Sequence, residues 1–357
     1  MPGVKPEPEK PRIRSAEPLN IGTVARAANV SIATVSRTVN GVSTVNPDIA
    51  ARVWAVIDRL GYFPNTQARA LVSGRSRIFG LIVSEITNPF FPELIQGFED
   101  VAVEHGYEIL VSSTNCDPKR MTYCIRRMLE RKVEGVAVMT FGTEEPLPTQ
   151  MAIRRVPLVF VDVAPMQPGT SVIKVDYHHG IDQAVQHLAT LGHNDVAVIS
   201  GPQRLHSAKS RTFAFSSSLK ERGIPLIPQW QVQGDHSLEG GIAAMRELLA
   251  QKKMPTAVLC SNDMTAIGVL HQLYRSGLRV PDDLSVIGFD NIHIAEVTIP
   301  PLTTVEMSRL DLARAAVTAL REQVDAAELS AVLSEFRVST KLIVRESTGR
   351  PRSSRGK

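Results

Sequence analysis

An all-α helix-turn-helix head followed by an α/β body of two doubly wound parallel-sheet lobes is the architecture this sequence predicts. Three observations carry it. Residues 20–60 show short helical patterning with no strand-like run, and from Ile78 onward continuous apolar runs alternate with amphipathic ones. A second series of the same kind begins after Asp176.

At 357 residues the chain exceeds one ordinary core, taking roughly 100–200 residues per domain. Residues 1–19, rich in Pro and charge, cannot bury enough apolar surface to order themselves and read as a flexible leader. Residues 20–64 form the expected head and 65–77 a hinge helix and linker. The body, 78–348, starts with IFGLIVS, a helix-like PELIQGFEDVAVEHGY, EILVSST, KRMTYCIRRMLERKV and EGVAVMT, a β-α-β-α-β series whose strands are apolar throughout. Strands buried on both faces read this way. After Asp176 come GIDQAVQHLATLG, DVAVISG, a helix around 211–221, WQVQGD, LEGGIAAMRELLA, AVLCS, a helix from Met264 and LSVIGFD. The expected first lobe takes 78–175 and 306–332, the second 176–305 and 333–348, and 349–357 are a basic tail. Ligands of such folds sit beyond the carboxyl ends of the strands, so a cleft between the lobes is the expected site.

Charge is unevenly placed. Residues 1–77 hold 11 Lys and Arg against 5 Asp and Glu, a net +6, and the last eight residues add +4, so the remainder carries −6 of the overall +4. A basic head on an acidic body points to a polyanion at one end. No apolar run approaches the roughly 18 residues of a membrane span, and the first nineteen residues lack the apolar stretch of a secretory signal. The three cysteines, Cys116, Cys124 and Cys260, form no C-x-x-C pair. A cytoplasmic protein without membrane, metal or cofactor is expected. The sequence holds no H-E-x-x-H, nucleophile motif, G-x-G-x-x-G or phosphate-cradling loop, so an enzyme is the weaker reading.

In NIGTVARAANVSIATVSRTVN, residues 20–40, Asn20 can cap a first helix and Ser31 a second, with Asn29 in the turn where a left-handed residue is favoured. Val35 and Val39 make one stripe of the second helix, while Ala33 and Arg37 lie opposite. Spacing alone fits an ordinary amphipathic pair as well as a DNA-reading unit. The free face tips the balance: Arg37 suits guanine edges, Ile32 and Ala33 suit thymine methyls, and Thr34, Ser36 and Asn40, with Ser31, are short groups suited to phosphates.

VARAANVSIATVSRTVNG followed by VNPDIAARVWAVIDRLGYFPNTQARAL resembles the head of the LacI/GalR regulators over its whole length. The resemblance implies that Ile32, Ala33 and Arg37 read bases. It also implies a hinge helix over NTQARALVSG, in which Asn65 and Ala68 contact DNA and Leu71 is a wedge for the minor groove. Thr23 and Asn29 depart from the family's usual acidic residue and glycine.

The likeness continues through TNPFF, FVDV, HLATLGH, SGP, SNDMTAIGVL, VPDDLSVIGFDN and PLTT, implying a periplasmic-binding-protein-like body. The family's effector pocket then falls on Phe90, Phe91, Ser207, Arg211, His236, Asn262 and Asp290, with Asp162 nearby. Aromatic faces, amides, carboxylates and a guanidinium suit a sugar or sugar acid. Each also has a plainer role open to it: Arg211 and Asp290 as a structural ion pair, Phe90 and Phe91 as core. Leu205 stands where purine-sensing members carry Arg, His236 where several have an aromatic stacker, and Tyr177 where the family usually has Asn. The expected protein is a repressor, a homodimer on a pseudo-palindrome of double-stranded operator DNA, controlled by a carbohydrate effector. A transport binding protein of the same fold would instead carry a signal sequence and no head. The basic ending TGRPRSSRGK offers no leucine heptads for a tetramer.

Overall fold

Residues 19–63, 74–140, 155–163, 168–326 and 334–352 are described by the computed structural model. They fall into two compact units, one up to Ser76 and one from Arg77. The leader up to residue 18, the hinge residues Asn65, Ala68 and Leu71, and the last five residues of the tail lie outside the described residues.

The head has three described helices, α1 (Ile21–Ala28), α2 (Ile32–Val39) and α3 (Pro47–Leu60). Asn20 Oδ1 accepts the Gly22 and Thr23 N–H groups at 2.9 and 3.1 Å, and Ser31 Oγ accepts that of Thr34 at 3.1 Å. Each cap satisfies backbone donors that the first turn leaves without partners. Asn29 ends α1 at φ 52°, ψ 52°, the left-handed conformation expected of it. Two eight-residue helices cannot hold together alone. The longer α3, capped by Asn46 and closed by Gly61, lays Val53, Val56 and Ile57 against Val24, Ala25, Ala28 and Val35.

In the body the first lobe runs β1 (Ile78–Val83), α4 (Phe90–Glu104), β2 (Glu108–Ser113), α5 (Pro118–Glu130), β3 (Gly135–Met139), β4 (Leu158–Val161) and β5 (Thr170–Asp176). The chain then enters the second lobe with α6 (Tyr177–Leu191), β6 (Val196–Ser200), α7 (His206–Glu221), β7 (Gln231–Gln233), α8 (Leu238–Leu249), β8 (Ala257–Cys260), α9 (Asp263–Arg275), β9 (Ser285–Asp290) and β10 (Thr303–Met307). Helix α10 (Arg309–Asp325) returns to pack on α4 and β3, and β11 (Ser334–Ile343) follows. Strand order is β2-β1-β3-β4-β5-β11-β10-β9-β8-β6-β7.

All pairs are parallel except β10 with β11. Strand β11 belongs to both lobes: Ser334–Ser339 pair parallel with β5, and Thr340–Ile343 pair antiparallel with β10. The boundary expected before residue 333 thus falls ahead of this strand, while the change of partner comes between Ser339 and Thr340. Chain crossings at 176–177, 307–309 and 339–340 hold the lobes together. The core runs through both, with Phe79, Leu94, Phe98, Ile181, Phe215, Trp230 and Phe289 fully enclosed or nearly so.

Candidate functional site

Residues at or just beyond the carboxyl ends of β1, β3, β6, β8, β9 and β10 wall one cleft between the lobes: Ser84, Thr140, Pro202, Asn262, Asp290 and Met307. It holds about 580 Å³ of atom-free space, counted with its open mouth. Parallel strands end here with their backbone groups spent on the sheet, so following loops supply the side chains.

Seven of the expected residues lie in the wall: Phe90, Phe91, Ser207, Arg211, His236, Asn262 and Asp290. Asn88 sets the start of α4 by accepting the Phe90 N–H on Oδ1 at 3.0 Å. Phe90 and Phe91 then meet edge to face, centroids 5.4 Å apart, part core and part cleft. Arg211 and Asp290, both about 95% buried, pair at 3.2 Å. The guanidinium also donates from Nη1 to the Ser261 carbonyl at 2.7 Å and lies 3.9 Å above the Phe289 ring and 5.4 Å from that of Tyr177. Among the described residues its Nε has no hydrogen-bond partner. Leaving a buried charged donor unpaired costs at least about 1–3 kcal/mol.

Burial pushes the Asp290 carboxyl up to about 6, with Arg211 and Arg309 pulling the other way. Its backbone sits at φ 112°, a region that costs a non-glycine residue about 1–3 kcal/mol unless its surroundings impose it. Arg309 imposes it, donating to the Asp290 carbonyl at 2.7 Å while its Nε pairs with Glu93 at 2.9 Å. The other Glu93 oxygen accepts the His293 N–H at 3.0 Å. The strained residue is therefore tied to both lobes, through Arg211 in the second and Arg309 in the first.

His236, at φ 68°, bonds the Ser261 hydroxyl through Nε2 at 2.9 Å. A Cβ on residue 201 would fall 1.9 Å from that ring nitrogen, so Gly201 is what lets the imidazole in. Burial and the neighbouring Arg211 lower its pKa to about 3, and the ring is neutral. Asn262 caps α9 through Oδ1 to the Thr265 N–H at 2.9 Å and donates to the His236 carbonyl at 3.0 Å. One lone pair and one hydrogen of its amide stay open for a ligand.

Asp162, expected nearby, is close enough to feel the charge of Arg211 but does not line the cleft. Its carboxylate is turned to Tyr177, whose hydroxyl donates to it at 2.6 Å, and to the Val175 N–H at 3.3 Å. The tyrosine at position 177 both occupies Asp162 and lies beside Arg211, an aromatic brace for the ion pair. Sequence reasoning also missed Glu85, Asn88, Arg204 and Asp235, which line the cleft. All four sit just past a strand end or in the turn before a helix, and that placement was the available signal.

In the head, Ser31, Ile32, Ala33, Arg37 and Asn40 are exposed, with Ile32 presenting 56% of its surface. Among the described residues the Arg37 side chain has no ion pair or hydrogen bond. Thr34 shares a hydrogen bond with Ser31 at 2.9 Å and Ser36 accepts one from Asn40 at 3.4 Å, two separate local pairs on α2. Val35 and Val39 both pack on the core of the head as expected, Val39 half-buried, and Thr38 is buried beside them. Thr38 fits because its hydroxyl donates to the Thr34 carbonyl at 2.9 Å.

Among the described residues no helix is long and apolar enough to cross a membrane, and no three His, Cys, Asp or Glu side chains cluster as metal ligands.

A helix-turn-helix unit joined to a two-lobed body with a polar cleft is the make-up of a ligand-responsive transcription regulator. Residues 20–65 match the bacterial regulatory proteins of the lacI family, and 185–348 the periplasmic binding protein-like domain. The ribose operon repressor of Escherichia coli (strain K12) is 34% identical over 300 residues, covering 83% of this chain and 90% of that protein. The chain belongs to the LacI family. The lac repressor dimer bound to operator and the anti-inducer ONPF superposes with a TM-score of 0.80 at 27% identity, covering 93% of this chain and all of that one. A complex of the transcriptional regulator CelR with cellobiose gives 0.68 at 28%, covering 92% and 99%.

Proposed function

We propose that the chain is a sequence-specific repressor, a homodimer that holds a pseudo-palindromic double-stranded operator and changes its affinity when a carbohydrate fills the cleft. The observation that carries this reading is the Arg211–Asp290 pair, buried at the cleft wall with one donor still open and tied to both lobes through Arg309. A ligand that meets that donor favours one lobe arrangement over the other, which is what control of affinity requires. Phe90 and Phe91 suit the apolar face of a sugar ring, and Asn262, His236 and Ser207 suit its hydroxyls. Leu205 in the wall offers a purine base no charged partner.

Base reading is assigned to Ile32, Ala33 and Arg37, phosphate contact to Ser31, Thr34, Ser36 and Asn40, and operator contact in the hinge to Asn65, Ala68 and Leu71. The protein is cytoplasmic and binds its ligand without converting it. The likeness to a lac repressor dimer bound to operator and to a CelR–cellobiose complex supports the reading of a DNA-binding, sugar-responsive regulator. Selection of bound sequences from a random duplex pool tests it: an inverted repeat of two half-sites is expected, and sedimentation should give two chains per duplex. Recovery of unrelated sequences, or of a single half-site with one chain, would overturn it.

A further inference from the structure

We propose, building on the reading of the cleft as the effector site, that the effector is an anionic carbohydrate, a sugar phosphate or sugar acid. Its anionic group sits at the start of α7 against Arg204 and Ser207.

Helix α7 is 16 residues long and begins in the cleft wall without a side-chain cap and without an acidic residue in its first turn. Its first backbone N–H groups therefore face the cleft end of the helix with the positive side of the peptide dipoles behind them, where an anion is stabilised. Two further groups on this helix also lack what a ligand would supply. Ser207 is 97% buried and its hydroxyl has no hydrogen bond among the described residues, and Arg211, one turn on, has its unpaired Nε. Ser207 and Arg211 are four residues apart and share a face.

Arg204 precedes Ser207 by three residues and lines the same cleft. Among the described residues it has neither ion pair nor hydrogen bond. The cleft's carboxylates do have partners: Asp290 has Arg211 at 3.2 Å, Asp235 accepts from the Ser237 N–H and hydroxyl at 2.9 and 2.6 Å, and Glu85 accepts from the Thr87 hydroxyl at 2.9 Å. Asp235 and Glu85 thus have their oxygens engaged by neutral donors, whereas the Arg204 guanidinium stands unengaged beside an uncapped helix end. A neutral sugar would use the hydroxyl-binding groups and leave Arg204 to solvent and the helix end without an anion. A phosphate or carboxylate meets them together, through charge-assisted hydrogen bonds.

The test is calorimetric titration of the full chain at fixed ionic strength with matched probes: ribose and ribose 5-phosphate, glucose, glucose 6-phosphate, gluconate and glucuronate, and inorganic phosphate. At least one anionic sugar should bind roughly 10- to 100-fold tighter than its neutral parent, the worth of one hydrogen bond to a charged group. Arg204→Gln should erase most of that preference while leaving the melting temperature unchanged, since Arg204 is exposed. The phosphate and acid arms tell which anion is preferred. A neutral sugar binding as tightly as its anionic form and shifting operator affinity would overturn this inference and leave the effector reading standing. So would an Arg204→Gln protein with its preference intact, or inorganic phosphate binding as tightly as any sugar phosphate. No binding by any probe would overturn the inference together with the carbohydrate reading.

Discussion

Replacing Arg211 with Met isolates the charge of the buried pair, because the unbranched side chain keeps most of the volume over Phe289. At the observed 3.2 Å and an effective dielectric of 20, the pair attracts by about 5 kcal/mol. Against that stands the burial that lifts Asp290 from 3.8 to about 6, which at 1.36 kcal/mol per unit already costs the wild type about 3 kcal/mol at neutral pH. The sign follows from the raised value. The folded state holds a proton that the unfolded state has lost, so stability falls as pH rises from about 4 to about 6 and then levels off. Without Arg211 the carboxyl titrates higher still and the fall continues above pH 6. Breaking a buried pair by removing one partner costs about 3–5 kcal/mol when the other stays charged. At pH 5 both proteins hold Asp290 protonated, and the loss shrinks to the cation–ring and packing part, about 1–2 kcal/mol. Urea unfolding of wild type, Arg211→Met and Arg211→Met/Asp290→Asn at pH 5 and pH 8 measures this. The single variant should lose about 2 kcal/mol more at pH 8 than at pH 5, and the double variant should lose that dependence. Equal losses at both pH values, or a double variant weaker than the single at pH 8, would refute the reasoning.

Asp263 is buried with its carboxyl pushed up to about 8 by burial and by Asp290, so at neutral pH it is protonated and shares a 2.6 Å bond with Thr304. Asp263→Asn mimics that form; its melting temperature should fall less than the wild type's between pH 6 and pH 9, and parallel curves would count against a protonated Asp263. Arg37→Ala should relax base preference at one position per half-site by about 1–3 kcal/mol, seen by repeating the duplex selection, whereas an unchanged motif removes Arg37 from base reading. Leu71→Ala should weaken operator binding and reduce DNA bending, measured by gel mobility of circularly permuted fragments, while calorimetry finds ligand affinity intact. An equal loss on random DNA would argue against a wedge.

The head was legible because its signals are local: Asn20, Ser31 and Asn29 each act on backbone within four residues of themselves. Apolar strands β1 to β3, β6, β8 and β9 were equally plain. Strands β4, β5, β10 and β11 were not read as strands. Residues 334–343 read SEFRVSTKLI, polar at alternate positions, and the strand exists because it bridges two sheets, a fact held in distant partners. In the site, Arg211 and Asp290 could be named, but their pairing across 79 residues of sequence could not be separated from a ligand contact. That Asp162 is engaged by Tyr177, the very residue noted as a departure, could not be seen in the sequence. The GFDN stretch shows the same limit: Gly288 is there because the Asp263 carboxylate lies 2.1 Å from where its Cβ would be, a constraint visible only in three dimensions.

The central claim is that one ligand in the cleft sets operator affinity through Asp290. Its most direct test is an operator titration with and without the ligand identified by calorimetry, for wild type and Asp290→Ala, at one salt concentration because phosphate contacts make affinity salt-dependent. The wild type should change its operator affinity by about 5- to 150-fold on adding ligand, and Asp290→Ala should bind operator near normally but not respond. A variant that responds fully at the same ligand concentration, or a wild type whose affinity the bound ligand leaves unchanged, would contradict the account.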